Sequence, residues 1–207
     1  VTVLGDSLVT TGGAGVISFL SPVDGSGTGM DILRLDAGPS GRVLLQDVGD
    51  AGKDPESLII TALSTTFKGD VNVSDQITIN GASVLNAASQ ADQILTFCGA
   101  DVTFNGAVTS SAMGASGLFV RSPGVTTFGG PVGAGTGRLF SLATDAPGST
   151  IITGNISSQL GMTFRDSVII AGDSTLRSYD ATSAGSIRFL KTVNADGAPG
   201  RKLTVIT

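Results

Sequence analysis

Carboxylates are the residues of this chain best placed to do chemistry. The densest group is Asp36, Asp47, Asp50, Asp54 and Glu56, centred on the glycine-rich stretch Asp47-Val-Gly-Asp-Ala-Gly-Lys-Asp-Pro-Glu56. Hard cations favour carboxylate and carbonyl oxygen, so Asp47, Asp50, Asp54 and Glu56 are the calcium candidates. Their spacing fits no EF-hand loop, and the Gly-Gly-x-Gly-x-Asp nonapeptide of calcium-binding β-rolls is missing. The expectation is a solvated acidic loop, with calcium as the alternative and no other cofactor. A carboxylate pair for glycoside chemistry remains open in principle. The chain has no His, which excludes His-based acid–base work, HExxH zinc sites and Cys–His nucleophiles. Cys98 is the single cysteine. It can form neither an internal disulfide nor a metal site alone, and is expected to be a small buried residue in Ile94-Leu-Thr-Phe-Cys98.

Ser7 is the nucleophile with the most suggestive setting. Gly5-Asp-Ser-Leu8 follows a strand-like Val1-Thr-Val-Leu4. The block resembles the nucleophile segment of the GDSL esterases, and that resemblance implies a serine activated by a histidine. No histidine is available. The block also recurs as Gly172-Asp-Ser174 and, without the acid, as Gly81-Ala-Ser83. A turn has reason to recur with a structural repeat and a catalytic motif has none, so a turn is expected at each and no residue is assigned a catalytic role. Gly133-Ala-Gly-Thr-Gly137 lacks the rest of a dinucleotide fingerprint and reads as a loop. Asn72-Val-Ser74 and Asn155-Ile-Ser157 match the glycosylation pattern and nothing more.

The elements that must carry these residues follow from a repeat. Val102-Thr-Phe-Asn-Gly-Ala-Val108 alternates apolar and polar, meets a glycine and turns apolar again. Its form is a large apolar residue, three mostly small or polar residues, then Val or Ile. That form recurs from Phe19, Phe67, Phe128, Ile152, Phe164 and Phe189. Phe19, Phe104 and Phe189 stand 85 residues apart, as do Leu33, Leu118 and Leu203. This describes an imperfect 85-residue repeat in one domain spanning 1–207, with partial copies at about 1–80, 81–167 and 168–207. Within it Phe104, Phe128 and Ile152 are 24 apart, a step that suits one coil of a parallel β-solenoid. The predicted fold is therefore an all-β parallel β-helix of roughly eight to ten rungs. Phe19, Phe104, Phe189, Leu33, Leu118 and Leu203 are expected to point inward. The third motif position (Ser21, Gly69, Gly106, Gly130, Gly154, Asp166 or Lys191) is expected to be a bend, where Gly and Asp tolerate unusual backbone angles.

Composition agrees. Sixteen of the 17 acidic residues are Asp, Glu and Lys are scarce, and there are 30 glycines, a bias against helix and towards strand and turn. With a net charge of −5 and scattered basic residues, nucleic acid is not the expected partner. No apolar run is long enough to span a bilayer. The chain starts at Val1 with no recognisable signal peptide and both ends read as ordinary repeat strands, so a piece of a longer array, or a unit stacking on copies of itself, is expected.

The segments Val102–Val108, Thr126-Thr-Phe-Gly-Gly-Pro-Val132 and Leu142-Ala-Thr-Asp-Ala-Pro-Gly-Ser-Thr-Ile151 resemble repeats of large bacterial surface proteins of the filamentous-haemagglutinin and autotransporter-passenger type. The resemblance implies a secreted, extracellular or cell-surface β-solenoid that serves as stalk, adhesin, surface layer or filament, without catalytic activity. Its expected partners are further repeats or copies end to end, surface glycans or other surface protein. A polysaccharide-binding or polysaccharide-cleaving β-helix is the alternative; with one Tyr and no Trp an aromatic-lined groove has little to build on. A calcium-dependent binding module is the third reading.

Overall fold

Period-2 alternation needs a core on one side of every strand, and short strands obtain one by coiling around it. The computed structural model describes residues 1–27, 30–50, 52–87, 93–180 and 185–207. It is an all-β parallel β-solenoid, and each circuit of the chain passes three faces. On the first lie β1 (Ser7–Thr10), the front halves of β3 (Ile32–Leu45), β4 (Ser57–Phe67) and β6 (Gln76–Leu85), then β8 (Asp101–Phe104), β11 (Val125–Phe128), β13 (Ser149–Ile152), β16 (Ser167–Ile170) and β19 (Val193–Ala195). The second face holds β2 (Val16–Ser18), the back halves of β3, β4 and β6, then β9 (Val108–Ser110), β14 (Ile156–Ser158), β17 (Ser174–Ser178) and β20 (Leu203–Ile206). The third carries β5 (Val71–Asn72), β7 (Ile94–Cys98), β10 (Gly117–Arg121), β12 (Leu142–Thr144), β15 (Met162–Phe164) and β18 (Ile187–Phe189).

Parallel register stacks like on like. The inner column of the first face runs Val9, Leu35, Ile60, Ile79, Phe104, Phe128, Ile152, Ile170, Ala195. On the second it runs Ile17, Val43, Thr65, Ser83, Val108, Val132, Ile156, Leu176, Val205. On the third, Val71 is followed by Phe97, Val120, Thr144, Phe164 and Phe189. Inside the coil Phe97 meets Phe67 edge-on at 4.9 Å and Phe104 at 5.2 Å, and Phe104 stacks on Phe128 at 5.7 Å. Phe104, Leu33 and Leu118 are fully buried, whereas Phe19, Phe189 and Leu203 are half-buried against the same core. All six point inward as expected; the half-buried ones belong to end coils, which have a neighbour on one side only.

The recurring five-residue form is the corner between faces. Phe104–Val108, Phe128–Val132 and Ile152–Ile156 join the first face to the second; Phe67–Val71 joins the second to the third; Phe164–Val168 joins the third to the first. The 85-residue step therefore carries a residue to a different face: Phe19 follows β2, Phe104 closes β8 and Phe189 closes β18. It spans a whole number of faces but not of coils, and the structural unit is the coil. The solenoid makes about 7 turns, slightly below the rung count expected from the sequence. At the N-terminal end the third face is reduced to single bridges at Thr2, Val23 and Val48, so counting motifs overstates the number of full turns.

The glycines at the third corner position have a different cause from the one expected. Gly69, Gly106, Gly130 and Gly154 do not have positive φ. A Cβ on Gly106 would lie 2.2 Å from the Gly81 carbonyl oxygen of the preceding coil, and one on Gly130 would lie 2.7 Å from Gly106. At Gly69, Gly106 and Gly130 the neighbouring coil lies too close for a side chain, whereas at Gly154 the nearest atom to an added Cβ is 3.3 Å away. Lys191 at this position is exposed, while Asp166 turns inward.

Candidate functional site

The acidic loop spans the third face at this level: Asp47 stands at the corner from the second face, Val48 makes the third-face bridges, and the rest of the loop up to Glu56 turns back to the first face. Asp47 and Asp50 line one cleft of about 220 Å³ with Pro22, Gly49, Asp70 and Asn72. Asp70 was not among the sequence candidates; it arrives from the next coil. The Asp47 carboxylate accepts the Asp70 N–H at 3.0 Å, and the Asn72 amide donates to the Gly49 carbonyl at 3.2 Å. Asp54 lies against Gly49, where an added Cβ would stand 2.8 Å from its Oδ1. Glu56 and Asp36 are held elsewhere: the Glu56 N–H donates to the Asp31 carbonyl at 2.8 Å, and Asp36 Oδ1 accepts the Gly38 N–H at 2.9 Å. Ala51 of this loop lies outside the described residues. Among the described residues no group of three or more His, Cys, Asp or Glu is arranged to hold a metal ion.

Asp47 is one instance of a general arrangement. Asp70 accepts the Thr96 N–H at 2.7 Å, Asp101 the Val125 N–H at 2.6 Å, Asp145 the Ser122 N–H at 2.8 Å and Asp173 the Lys202 N–H at 3.1 Å. Each bond crosses from one coil to its neighbour. Asp31 does the same with the Gly5 N–H at 2.6 Å, and within its own loop it also accepts the Ser26 N–H at 2.5 Å and the Ser26 hydroxyl at 2.6 Å. The Ser26 hydroxyl and these amides hold its carboxyl below the usual carboxylate range. Asp166 is the opposite case. It is 3% exposed and accepts the Thr144 hydroxyl at 2.8 Å and the Thr150 hydroxyl at 2.7 Å. Burial outweighs those two bonds and raises its pKa.

Ser7 opens β1, and its hydroxyl donates back to the Gly5 carbonyl at 3.4 Å. Ser174 opens β17 and donates to the Gly172 carbonyl at 3.0 Å. The two Gly-Asp-Ser blocks thus share a serine-to-glycine bond ahead of a strand, although Gly5 has φ +68 and Gly172 does not have positive φ; Gly81-Ala-Ser83, expected to be a third turn, lies within β6. Cys98 is half-buried and alternates with the inward Phe97, so it is less enclosed than expected; partial burial pushes its thiol pKa up against the pull of Arg121. Both sequon asparagines are engaged: Asn155 Oδ1 accepts the Thr175 N–H at 2.8 Å, and Asn72 bonds Gly49 as above.

A second cluster was not legible as a motif. At the corner where the second face meets the third, Arg138, Gln159 and Tyr179 follow one another at steps of 21 and 20 residues, close to one coil each. The Arg138 guanidinium lies over the Tyr179 ring, 3.3 Å from its centroid, and the Arg177 guanidinium lies 4.4 Å from the same centroid. Arg138 Nη1 donates to Gln159 Oε1 at 3.1 Å and faces the Met113 sulfur at 3.7 Å; its Nε is buried with no partner. Among the described residues neither arginine has a carboxylate partner; the ion pair there is Arg201–Asp196 at 2.7 Å, which holds the Asp196 pKa at about 2. Leu139 stacks on Ser158 and Ser158 on Ser178, so Tyr179 read back one coil at a time leads to Gln159 and then Phe140; Arg138 lies outside that column, and no register signal points to it.

Comparison with family models, with curated proteins and with solved structures finds no match. The functional reading therefore rests on this geometry.

Proposed function

We propose that the chain is a structural and adhesive element outside the cell, a segment of stalk, surface layer or filament, and that it has no catalytic activity. The observation that carries this reading is the use of its acids. Asp31, Asp47, Asp70, Asp101, Asp145 and Asp173 bind backbone N–H groups across coils. Groups that could do acid–base work in a groove are engaged in holding a rod together. The Ser7 hydroxyl, like that of Ser174, donates to the glycine carbonyl two residues back.

The partners in this reading are further coils or further copies. Among the described residues β1 and β2 pair only with β3, and β19 and β20 each pair on one side, so both end coils offer parallel strand edges. Residues 1–27 carry Asp6 and Asp24 and no Lys or Arg, whereas 187–207 carry Arg188, Lys191, Arg201 and Lys202 against Asp196. Opposite ends of opposite charge favour head-to-tail contact, which does not close on itself. Light scattering over a concentration series tests this. Expected is growth that salt weakens, with no depolymerisation of uronic-acid polysaccharides by the same preparation. Release of reducing or unsaturated ends from such a polymer would overturn the non-catalytic reading, and a monomer at every concentration would overturn the assembly.

A further inference from the structure

We propose that Arg138, Arg177 and Tyr179 form a binding site for an oxyanion, carboxylate or sulfate, carried on an acidic glycan. This gives a ligand to the adhesive half of the reading above and leaves the structural half untouched if it fails.

Two guanidinium groups share one aromatic ring, at 3.3 and 4.4 Å from its centroid. The ring quadrupole attracts each cation, but it also brings two like charges together. In most folded proteins a nearby carboxylate relieves such a pair. Here, among the described residues, none does, on a chain whose net charge is −5. Arg138 is further committed: Gln159 takes one Nη1 bond, Met113 presents sulfur to the same group, and Nε is buried without a partner. Arg177 is exposed and Tyr179 is 42% exposed, so the open side of the pair faces solvent. The exposed Arg177 guanidinium, with Arg138 adding a second positive charge at the same ring, suits a carboxylate or sulfate, which can take two parallel N–H bonds from one guanidinium.

The ring sets the class of ligand. With Arg138 over one face of the ring, the exposed rim of Tyr179 is left to make van der Waals contact with a sugar that carries the acid. Nucleic acid is disfavoured because two arginines on an acidic chain do not make the extended basic stripe that a phosphate backbone needs.

The test is binding of the full chain to heparin, to polygalacturonate and to neutral dextran, with double-stranded DNA as a fourth probe, by calorimetry or biolayer interferometry at two salt concentrations. Expected is binding to heparin or polygalacturonate, weakened by salt, with no binding to dextran. Preference for one identifies sulfate or carboxylate as the anion. Arg177→Ala should weaken binding about tenfold or more. Tyr179→Ala should do the same, and Tyr179→Phe should bind as the unaltered chain does. Arg177 and the Tyr179 edge are exposed, so these variants should melt normally, which separates loss of the site from loss of fold. Arg34→Ala, a surface cation on the first face, is the control for charge alone. The proposal is overturned if Arg177→Ala and Tyr179→Ala bind normally, if Arg34→Ala weakens binding equally, or if DNA binds more tightly than either acidic glycan.

Discussion

Replacing Gly106 with alanine tests why the corners are built as they are. The new Cβ would stand 2.2 Å from the Gly81 carbonyl oxygen, 2.5 Å from its carbon and 3.0 Å from the Ala82 nitrogen. All three are backbone atoms of the preceding coil, so no side chain can swing aside. Restoring ordinary contact requires the two coils to part by about 1 Å at this corner. That separation stretches the Asn105 N–H bond to the Ile79 carbonyl, now 3.0 Å, and the Ser83 N–H bond to the Ala107 carbonyl, now 2.7 Å, beyond useful length. Two net hydrogen bonds at about 1 kcal/mol each, plus overpacking strain of about 1–3 kcal/mol, set the loss. The stiffer unfolded chain returns about 0.4–1 kcal/mol. The net expectation is a loss of about 2–4 kcal/mol. Gly5→Ala is the comparison. Gly5 has φ +68 and nothing within 4 Å of an added Cβ, so the cost there is the left-handed backbone alone, about 1–2 kcal/mol before the same return. Urea unfolding followed by circular dichroism, with the slopes compared before the midpoints, reads both. If Gly106→Ala loses no more than Gly5→Ala, close stacking of corners is not what requires glycine.

Phe104→Ala removes a fully buried ring that touches Phe97 and Phe128 and should cost about 3–5 kcal/mol in the same assay; a loss under 1 kcal/mol would mean that the column collapses without consequence. Thr65→Val should stabilise the chain by about 1 kcal/mol, because the Thr65 hydroxyl is buried with no partner beside the equally unpartnered Ser83; a lower midpoint would reveal a bond to that hydroxyl. Asp166 has a raised pKa in the folded state, so folding binds its proton, and stability from this group is greatest at acid pH and falls as pH climbs from the unfolded carboxylate value to the folded one. Asp166→Asn should therefore gain stability over the unaltered chain at neutral pH, with the gap closing below the ordinary carboxylate range; a gap independent of pH would refute the assignment.

The coil was legible in the sequence because Phe104, Phe128 and Ile152 share one inner column at the 24-residue step. Features set by the neighbouring coil were less so. The corner glycines were recognised by position but not by cause, since the obstruction at Gly106 is a carbonyl 25 residues earlier in the chain. Asp166 was expected at a bend like its neighbours in the motif. It lies inside because Thr144 and Thr150 bring two hydroxyls to it, and local pattern carries no trace of those partners. The 85-residue step looked like a unit because the three faces use the same corner form, so a residue and its echo can match in type while lying on different sides of the coil. Arg138 and Tyr179 were missed for the same reason: no local window contains both.

The preference for aspartate over glutamate follows from this architecture. Neighbouring coils lie about 4.8 Å apart, and a carboxylate that is to take an N–H from the next coil must span that gap from a corner. Aspartate does so with two side-chain torsions; glutamate adds a third whose freedom must be frozen for the same bond. Among the described residues six aspartates make such bonds, at Asp31, Asp47, Asp70, Asp101, Asp145 and Asp173, and the bonds shield each charge by backbone dipoles. An acidic composition thus need not mean an uninterrupted acidic surface. A share of the negative charge is engaged at the joints between coils, which is consistent with the proposal that Arg138 and Arg177 meet an acidic partner.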